Sequence, residues 1–271
     1  MSEFRHFVDL NRDLWNKRVR AHLEHGLYPS AQVEAGTYQI AEPDLSDVGE
    51  VAGRRLIHLQ CNAGADTIYW ARRGAIVTGV DLSEVAIAEA RRLSEVTELG
   101  ATFVCSDIYD IPQLDLGVFD VVYMSLGSLW WLPDVDQWAA IIAALLVPGG
   151  IFYITDVHPF AMALRFPGDR MVVAEDYFGP GEALVFESDG TYYDAGEDFA
   201  AETGAECGWV HPLGEVVSAL SGAGLIVEFL HEHPFTFFRL LPGLVRDEDG
   251  QWTTPAGAPR VPLMFSLRAR R

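Results

Sequence analysis

The stretch Leu56-Ile57-His58-Leu59-Gln60-Cys61-Asn62-Ala63-Gly64-Ala65-Asp66-Thr67 decides the fold. A short apolar run feeds a turn of small residues, and the turn feeds a helix. That is the arrangement by which an α/β protein receives a nucleotide-type ligand. The helix opens near Ala65–Thr67, where free backbone N–H groups favour a phosphate or a carboxylate. Such turns commonly hold three glycines, and this one holds only Gly64. Gln60 and Asn62 stand at the other two places, with side chains that would crowd a pyrophosphate but can hydrogen-bond an amino acid's carboxylate or ammonium. The turn leans towards a small zwitterionic group, and a nicotinamide-dependent dehydrogenase, which needs both missing glycines, is disfavoured.

Outward from the turn the pattern is regular. Leu56–Leu59, Ile76–Val80, Thr102–Cys105, Phe119–Met124 and Ile151–Thr155 read as buried strands. Helices are expected between them over Asp66–Arg73, Glu84–Ser94 (with Ser83 as N-cap) and Asp136–Leu146. Apolar strands alternating with helices imply parallel pairing through right-handed crossovers. With Leu225–Leu230 and Val261–Arg268 read as two further strands, the fold class expected is α/β, a Rossmann-like doubly wound sheet of seven strands, mostly parallel with the last antiparallel. Ligands of such sheets sit at the carboxyl ends of the strands.

Two of those ends carry carboxylates. Asp81 follows the second strand, where an acid about 20 residues past the turn can take both ribose hydroxyls. Asp107 follows the third, in Cys105-Ser106-Asp107-Ile108, where it can accept from an exocyclic amine beside the Ile108 N–H. Turn, Asp81 and Asp107 line up as sites for an amino acid, a ribose and a base.

On these residues the chain resembles the class I S-adenosylmethionine-dependent methyltransferases. The matching stretches are Leu56–Gly64, Val80-Asp81-Leu82-Ser83, Ser106-Asp107-Ile108, Phe119-Asp120-Val121-Val122-Tyr123 and Leu145-Leu146-Val147-Pro148-Gly149-Gly150. It is most similar to a bacterial small-molecule branch that writes the loop His-Leu-Gln-Cys, here His58–Cys61, and ends the next helix near Trp70–Ala75. Trp15-Asn16-Lys17-Arg18 and His158-Pro159 extend the likeness. The resemblance implies S-adenosyl-L-methionine as cofactor and S-adenosyl-L-homocysteine as product. It places Gln60, Cys61, Asn62, Gly64, Asp66 and Thr67 around the methionine part, Asp81 at the ribose, Leu82 against the adenine, and Asp107 and Ile108 at the adenine edge. Trp15 is expected over the cofactor, and Ser125 near the sulfonium and the nucleophile. His58 replaces a common acidic residue of that family and has no assigned role.

Acceptor-side candidates follow the strand ends. His158, after the fifth strand, is the expected general base, because an imidazole titrates near neutrality. Its alternative is a structural histidine bonded to backbone. His211, Tyr28, Trp130 and Trp131 are candidate substrate contacts, the tryptophans as apolar or cation–π walls. The function expected is methyl transfer to oxygen or nitrogen of a small molecule. The alternative is a repurposed fold that binds the cofactor or a nucleoside without transfer.

One domain is expected: a helical cap over 1–53, the cofactor-binding core over 54–159, an aromatic and acidic insert of short antiparallel strands and loops over 160–208 covering the substrate, and a C-terminal part over 209–271, with a helix over Pro212–Ala223, strands over Leu225–Leu230 and Val261–Arg268, and a looped stretch over His233–Arg260 between them. A net charge of −20 disfavours nucleic acid and anionic membranes as partners. Three isolated cysteines suggest a reducing compartment, and the eight histidines lack metal-ligand spacing, so no metal is expected. A polar N-terminus without an apolar run, and no span long enough for a bilayer, point to a cytoplasmic protein; the resemblance implies a bacterial one, and the sequence leaves monomer and homodimer both open.

Overall fold

A computed structural model of the chain describes residues 4–188 and 204–271. Tyr192, Tyr193 and Phe199 of the expected insert lie outside the described residues. The strands at the centre are β1 (Arg55–Leu59), β2 (Ile76–Asp81), β3 (Thr102–Cys105), β4 (Phe119–Ser125) and β5 (Leu146–Val157). They pair in parallel in the order β5-β4-β1-β2-β3. The order reverses between β1 and β4, with His58 opposite Tyr123. The turn after β1 and Ser125 at the end of β4 therefore meet at the switch point, where open α/β sheets bind ligands.

The helices are α1 (Arg5–Glu24), α2 (Ser30–Ala35), α3 (Asp44–Val48), α4 (Ala65–Arg72), α5 (Glu84–Thr97), α6 (Val135–Leu145), α7 (Pro159–Met162) and α8 (Leu213–Gly222). On one face of the sheet, Trp138 of α6 and Val216 of α8 pack in a core with Phe152 and Phe265. On the other, Trp70 of α4 packs with Tyr123 and Tyr153, and Ile87 of α5 with Phe103. Trp70 and Trp138 are wholly buried, and truncating such a side chain costs about 3–5 kcal/mol. These cores hold the strand ends in place.

Beyond β5 the chain forms a hairpin of β6 (Leu164–Arg165) and β7 (Val172–Val173) and a second pair, β8 (Leu184–Ser188) and β9 (Gly204–Gly208). Short antiparallel strands were expected here. The β8–β9 pair docks on α1: the Asn11 side chain donates to Cys207 O (2.8 Å) and accepts from Cys207 N (3.0 Å). Both bonds are buried, and the amide substitutes for a neighbouring strand. The sheet is completed by β10 (Ile226–His233) and β14 (Met264–Arg270), with β14 antiparallel to both β5 and β10. The stretch 234–260, expected as loop, holds a further small sheet of β11 (Phe235–Thr236), β12 (Val245–Arg246) and β13 (Trp252–Thr253).

The fifth strand begins earlier than the sequence implies. Leu146 pairs with Phe119, and Gly149 and Gly150 bond the backbone of Arg271, so the Pro148-Gly149-Gly150 turn lies within the ladder. No described helix is long and apolar enough to cross a membrane.

Candidate functional site

The turn after β1 keeps the backbone of a glycine-rich loop without the glycines. Gln60 (φ 56°), Asn62 (φ 49°) and Gly64 (φ 82°) are all left-handed. For Gln60 this conformation costs about 1–2 kcal/mol, whereas Asn tolerates it better. Gly64 has a second reason to be glycine: an added Cβ would stand 2.7 Å from Ala90 Cβ and 2.9 Å from the Phe103 ring. Asn62 has its backbone N–H on Asp81 Oδ2 (2.8 Å) and its own Oδ1 on Ala63 N (2.6 Å). That oxygen is turned into the loop. The Gln60 side-chain oxygen is buried and has no hydrogen-bond partner among the described residues.

Gln60, Asp81, Leu82, Asp107, Ile108, Trp15 and Trp131 line one small cavity beside the sheet. Asp81 is buried. Its Oδ1 accepts from Ser83 N (2.9 Å), and burial pushes its pKa up to about 6. Asp107 caps a short 3-10 turn over Ile108–Gln113, with Oδ1 accepting from Tyr109 N (3.0 Å). Its Oδ2 is buried without a partner among the described residues, and burial raises its pKa too. Two orphaned oxygens, on Gln60 and Asp107, flank Asp81 in one cavity. Buried acceptors of this kind are costly unless something donates to them. The amines and ribose hydroxyls of the expected cofactor are such donors, so the residues present fit it.

Helix α1 closes this side. Asn16 Oδ1 accepts from Ser83 Oγ (2.7 Å), and Asn16 Nδ2 donates to Glu84 Oε2 (2.6 Å), which pins the helix to the first turn of α5. Trp15 stands edge-on to Trp131 (5.3 Å between ring centroids), with the Arg18 guanidinium over both. Arg18 in turn pairs with Glu206 at 2.8 Å.

A larger cavity of about 1340 Å³ opens from the turn. Single-ligand sites run to about 1,000 Å³, so it has room for a second molecule beside a cofactor. At its inner end Asp66 Oδ2 accepts from Ser125 Oγ (3.0 Å) and Oδ1 from Tyr38 OH (2.5 Å). His58 is buried beneath them, with Nδ1 2.9 Å from Thr67 Oγ1 and Nε2 3.4 Å from Ser125 Oγ. Burial pushes its pKa down to about 4, so the ring is neutral at pH 7. His58 thus orients Ser125 and carries no charge. Thr67 is wholly buried and absent from the cavity lining, so it positions His58 and does not contact a ligand. The Cys61 side chain packs in the core beside Phe103, with its thiol pKa raised by burial.

Trp130, Trp131, Tyr28 and His211 all line the large cavity. Neither tryptophan is buried in the core. Trp130 donates to Glu206 Oε1 (3.1 Å), and its indole lies where a Cβ on Gly208 would be, 1.9 Å away. His211 Nε2 is 2.7 Å from Leu132 O, and its Nδ1 faces Glu215 at 3.3 Å. Both ring nitrogens are thus engaged.

His158, the expected base, is elsewhere. It caps α7, with Nδ1 accepting from Phe160 N (3.1 Å), and Nε2 is 3.1 Å from Glu232. It is buried, lies edge-on to Phe265 and does not line the cavity, although Val157 and Pro159 do. It lies just past the end of β5, and its ring is held away by the bond from Phe160 N and by Glu232. The histidine bonded to backbone is what the structure holds.

Asp156, which the sequence reading passed over, shapes the wall instead. Its two oxygens accept from Gly127 N, Val157 N, Ser128 N, Ser128 Oγ and Leu129 N at 2.6–3.0 Å. This staples the loop that carries Trp130 and Trp131. An acid at a strand end was the only signal. Tyr38 left none, since its bond to Asp66 joins distant segments.

Residues 57–154 match the family described as a methyltransferase domain. The chain is 29% identical over 156 residues, 58% of its length, to a ubiquinone biosynthesis O-methyltransferase of Coxiella burnetii, and spans about three fifths (62%) of that relative. It is 35% identical over 112 residues, 41% of its length and 39% of the relative's, to a fatty-acid O-methyltransferase of Mycolicibacterium smegmatis. Among solved structures it shares its fold with an S-adenosylmethionine-dependent methyltransferase from Mesorhizobium loti (TM-score 0.55, 22% identity, covering 82% of this chain and 93% of that one).

Proposed function

We propose that this protein, whose residues 57–154 match a methyltransferase domain, is a class I S-adenosylmethionine-dependent methyltransferase that methylates oxygen or nitrogen of a small, partly apolar molecule. The observation that carries the reading is the pair of orphaned buried oxygens on Gln60 and Asp107, facing one cavity with Asp81. In this assignment Asp107 accepts from the adenine amine, and Asp81 from the ribose hydroxyls. Asp66, which lines the larger cavity together with Gln60, takes the ammonium in place of the acid absent at His58. Leu82, half-buried at the cavity, covers the adenine. One relative is named as a fatty-acid O-methyltransferase, and an apolar acceptor of that kind suits a cavity walled by Trp130, Trp209, Phe186 and Phe237.

When bound, the cofactor supplies a methyl group on a sulfonium, open to in-line displacement. The chain contributes placement and the exclusion of water. Trp15 and α1 cover the cofactor side, and the Asp156-stapled loop covers the acceptor side. Ser125, held by Asp66 and neutral His58, is the polar group beside the transfer point and orients the incoming nucleophile.

Calorimetric titration tests this directly. S-adenosylhomocysteine should bind and NAD should not, and Asp107→Ala should weaken the former by about tenfold or more, as loss of a buried hydrogen bond to a charged group implies. Heat with NAD alone would sink the assignment.

A further inference from the structure

The acceptor end of the large cavity differs in charge from the cofactor end. Asp66 and Asp81 lie by the turn, whereas Arg239 and Arg246 lie on the far side, carried by the small C-terminal sheet. Arg246 on β12 pairs directly with Trp252 on β13, and the Arg239 guanidinium sits 5.5 Å over the Trp252 ring. The Arg239 guanidinium thus stacks on this indole, and Arg246 leaves the strand position opposite Trp252. Each is tethered by a backbone carbonyl, Arg239 to Pro242 O (2.8 Å) and Arg246 to Gly250 O (3.0 Å). Neither forms an ion pair with an acid among the described residues, and each has N–H groups left to donate.

The other charges lining this end are spoken for. Glu206 pairs with Arg18 and Trp130, and Arg165 with Glu175 at 3.3 Å. Asp176 accepts from Phe178 N (2.9 Å). In a chain of net charge −20 the long-range field repels anions. Two arginines without ion pairs at the exposed rim of a cavity are therefore a local exception that an anionic ligand could exploit. A singly charged carboxylate suits that field better than a phosphate, and the guanidinium fork matches its two oxygens.

We propose that Arg239, over Trp252, and Arg246, on the strand beside it, form a carboxylate subsite at the rim of the cavity, so that the ligand taken at this end is an apolar molecule bearing a carboxylate. Phe186, Trp209, Phe237 and Leu240 line the space its apolar body occupies. Calling that ligand the methyl acceptor rests on the methyltransferase reading, but the subsite does not.

The test is calorimetry on the full chain saturated with S-adenosylhomocysteine, using phenylbutyrate and its uncharged amide as probes. The acid should bind about tenfold or more tighter than the amide, as charge-assisted bonds require, and added salt should narrow the gap. In the Arg239→Gln/Arg246→Gln variant the acid should fall to the amide's affinity. The amide itself should change by less than about threefold, which shows that the cavity is intact. Equal affinities in the wild type, no binding of either probe, or an acid preference that survives the double substitution would each overturn the subsite. An acid preference in a protein that ignores S-adenosylhomocysteine would uphold the subsite and sink the methyltransferase reading instead.

Discussion

Asp81 accepts the backbone N–H of Asn62 across the turn at 2.8 Å. The carboxylate assigned to the ribose thus also holds one of the two left-handed residues that stand in place of glycine. Binding and loop geometry share one side chain. Asp81→Ala should therefore weaken S-adenosylhomocysteine binding by about tenfold or more and also lower stability by about 1–3 kcal/mol, since Asn62 N–H loses a buried acceptor. Calorimetry paired with chemical denaturation checks both. A loss of affinity with unchanged stability would show that Asn62 does not depend on Asp81.

Cofactor affinity should depend on pH through the same group. Burial raises Asp81 to about 6, and ribose hydroxyls donate to its ionised form. Affinity should be full above about pH 7 and about tenfold weaker one unit below 6. A flat profile of the dissociation constant from pH 5 to about 8 would remove Asp81 from the ribose.

Asp44 links stability to pH with a defined sign. It is buried under the sheet, accepting from Tyr123 OH, Tyr153 OH and Thr155 Oγ1, and burial raises its pKa from 3.8 to about 6. Between those values the folded chain holds the proton more tightly than the unfolded one. The contribution is present below the lower value and is lost as pH rises through about 6. Asp44→Asn should flatten the slope of unfolding free energy in that window by up to about 1.4 kcal/mol per pH unit. An unchanged slope in denaturation series would refute it.

The turn predicts opposite outcomes for two exchanges. Gln60→Gly should stabilise the fold by up to about 1 kcal/mol by removing left-handed strain, while weakening cofactor binding. Gly64→Ala adds a Cβ against Ala90 and Phe103 and should destabilise by about 1–3 kcal/mol. Thermal melts of the two variants decide it, and a stabilised Gly64→Ala would contradict the packing described.

Trp130 has its place because Gly208 has no side chain. Gly208→Ala should displace the indole and lower methyl transfer by about tenfold or more, while S-adenosylhomocysteine affinity stays within about threefold. Parallel turnover and binding measurements separate the two effects. An equal loss in both would mean that the wall and the cofactor site are one unit.

His158→Ala should cost about 1–2 kcal/mol as a lost cap with turnover nearly unchanged. A collapse of turnover in a folded variant would restore it as a base.

The sequence by itself determined the sheet, the turn and the carboxylates at its ends. These follow from local rules: apolar runs of strand length, small residues before a helix, and acids at fixed distances past the turn. Asp81, Asp107, Leu82 and Gln60 were legible because each belongs to a strand end, and strand ends converge in a parallel sheet. What only the tertiary structure decided is how side chains from distant segments face one another. Capping α7 and facing Glu232 turned His158 away from the cavity, and Asp156 staples its wall. Burial made His58 a neutral positioning group; Asp66 and Ser125 met because β1 and β4 are neighbours, and Tyr38 reached Asp66 from the segment between α2 and α3. The small sheet behind Arg239 and Arg246 was read as loop, because two-residue strands carry too little periodicity to be seen. Such pairings depend on long-range contacts, to which no local pattern in the chain corresponds.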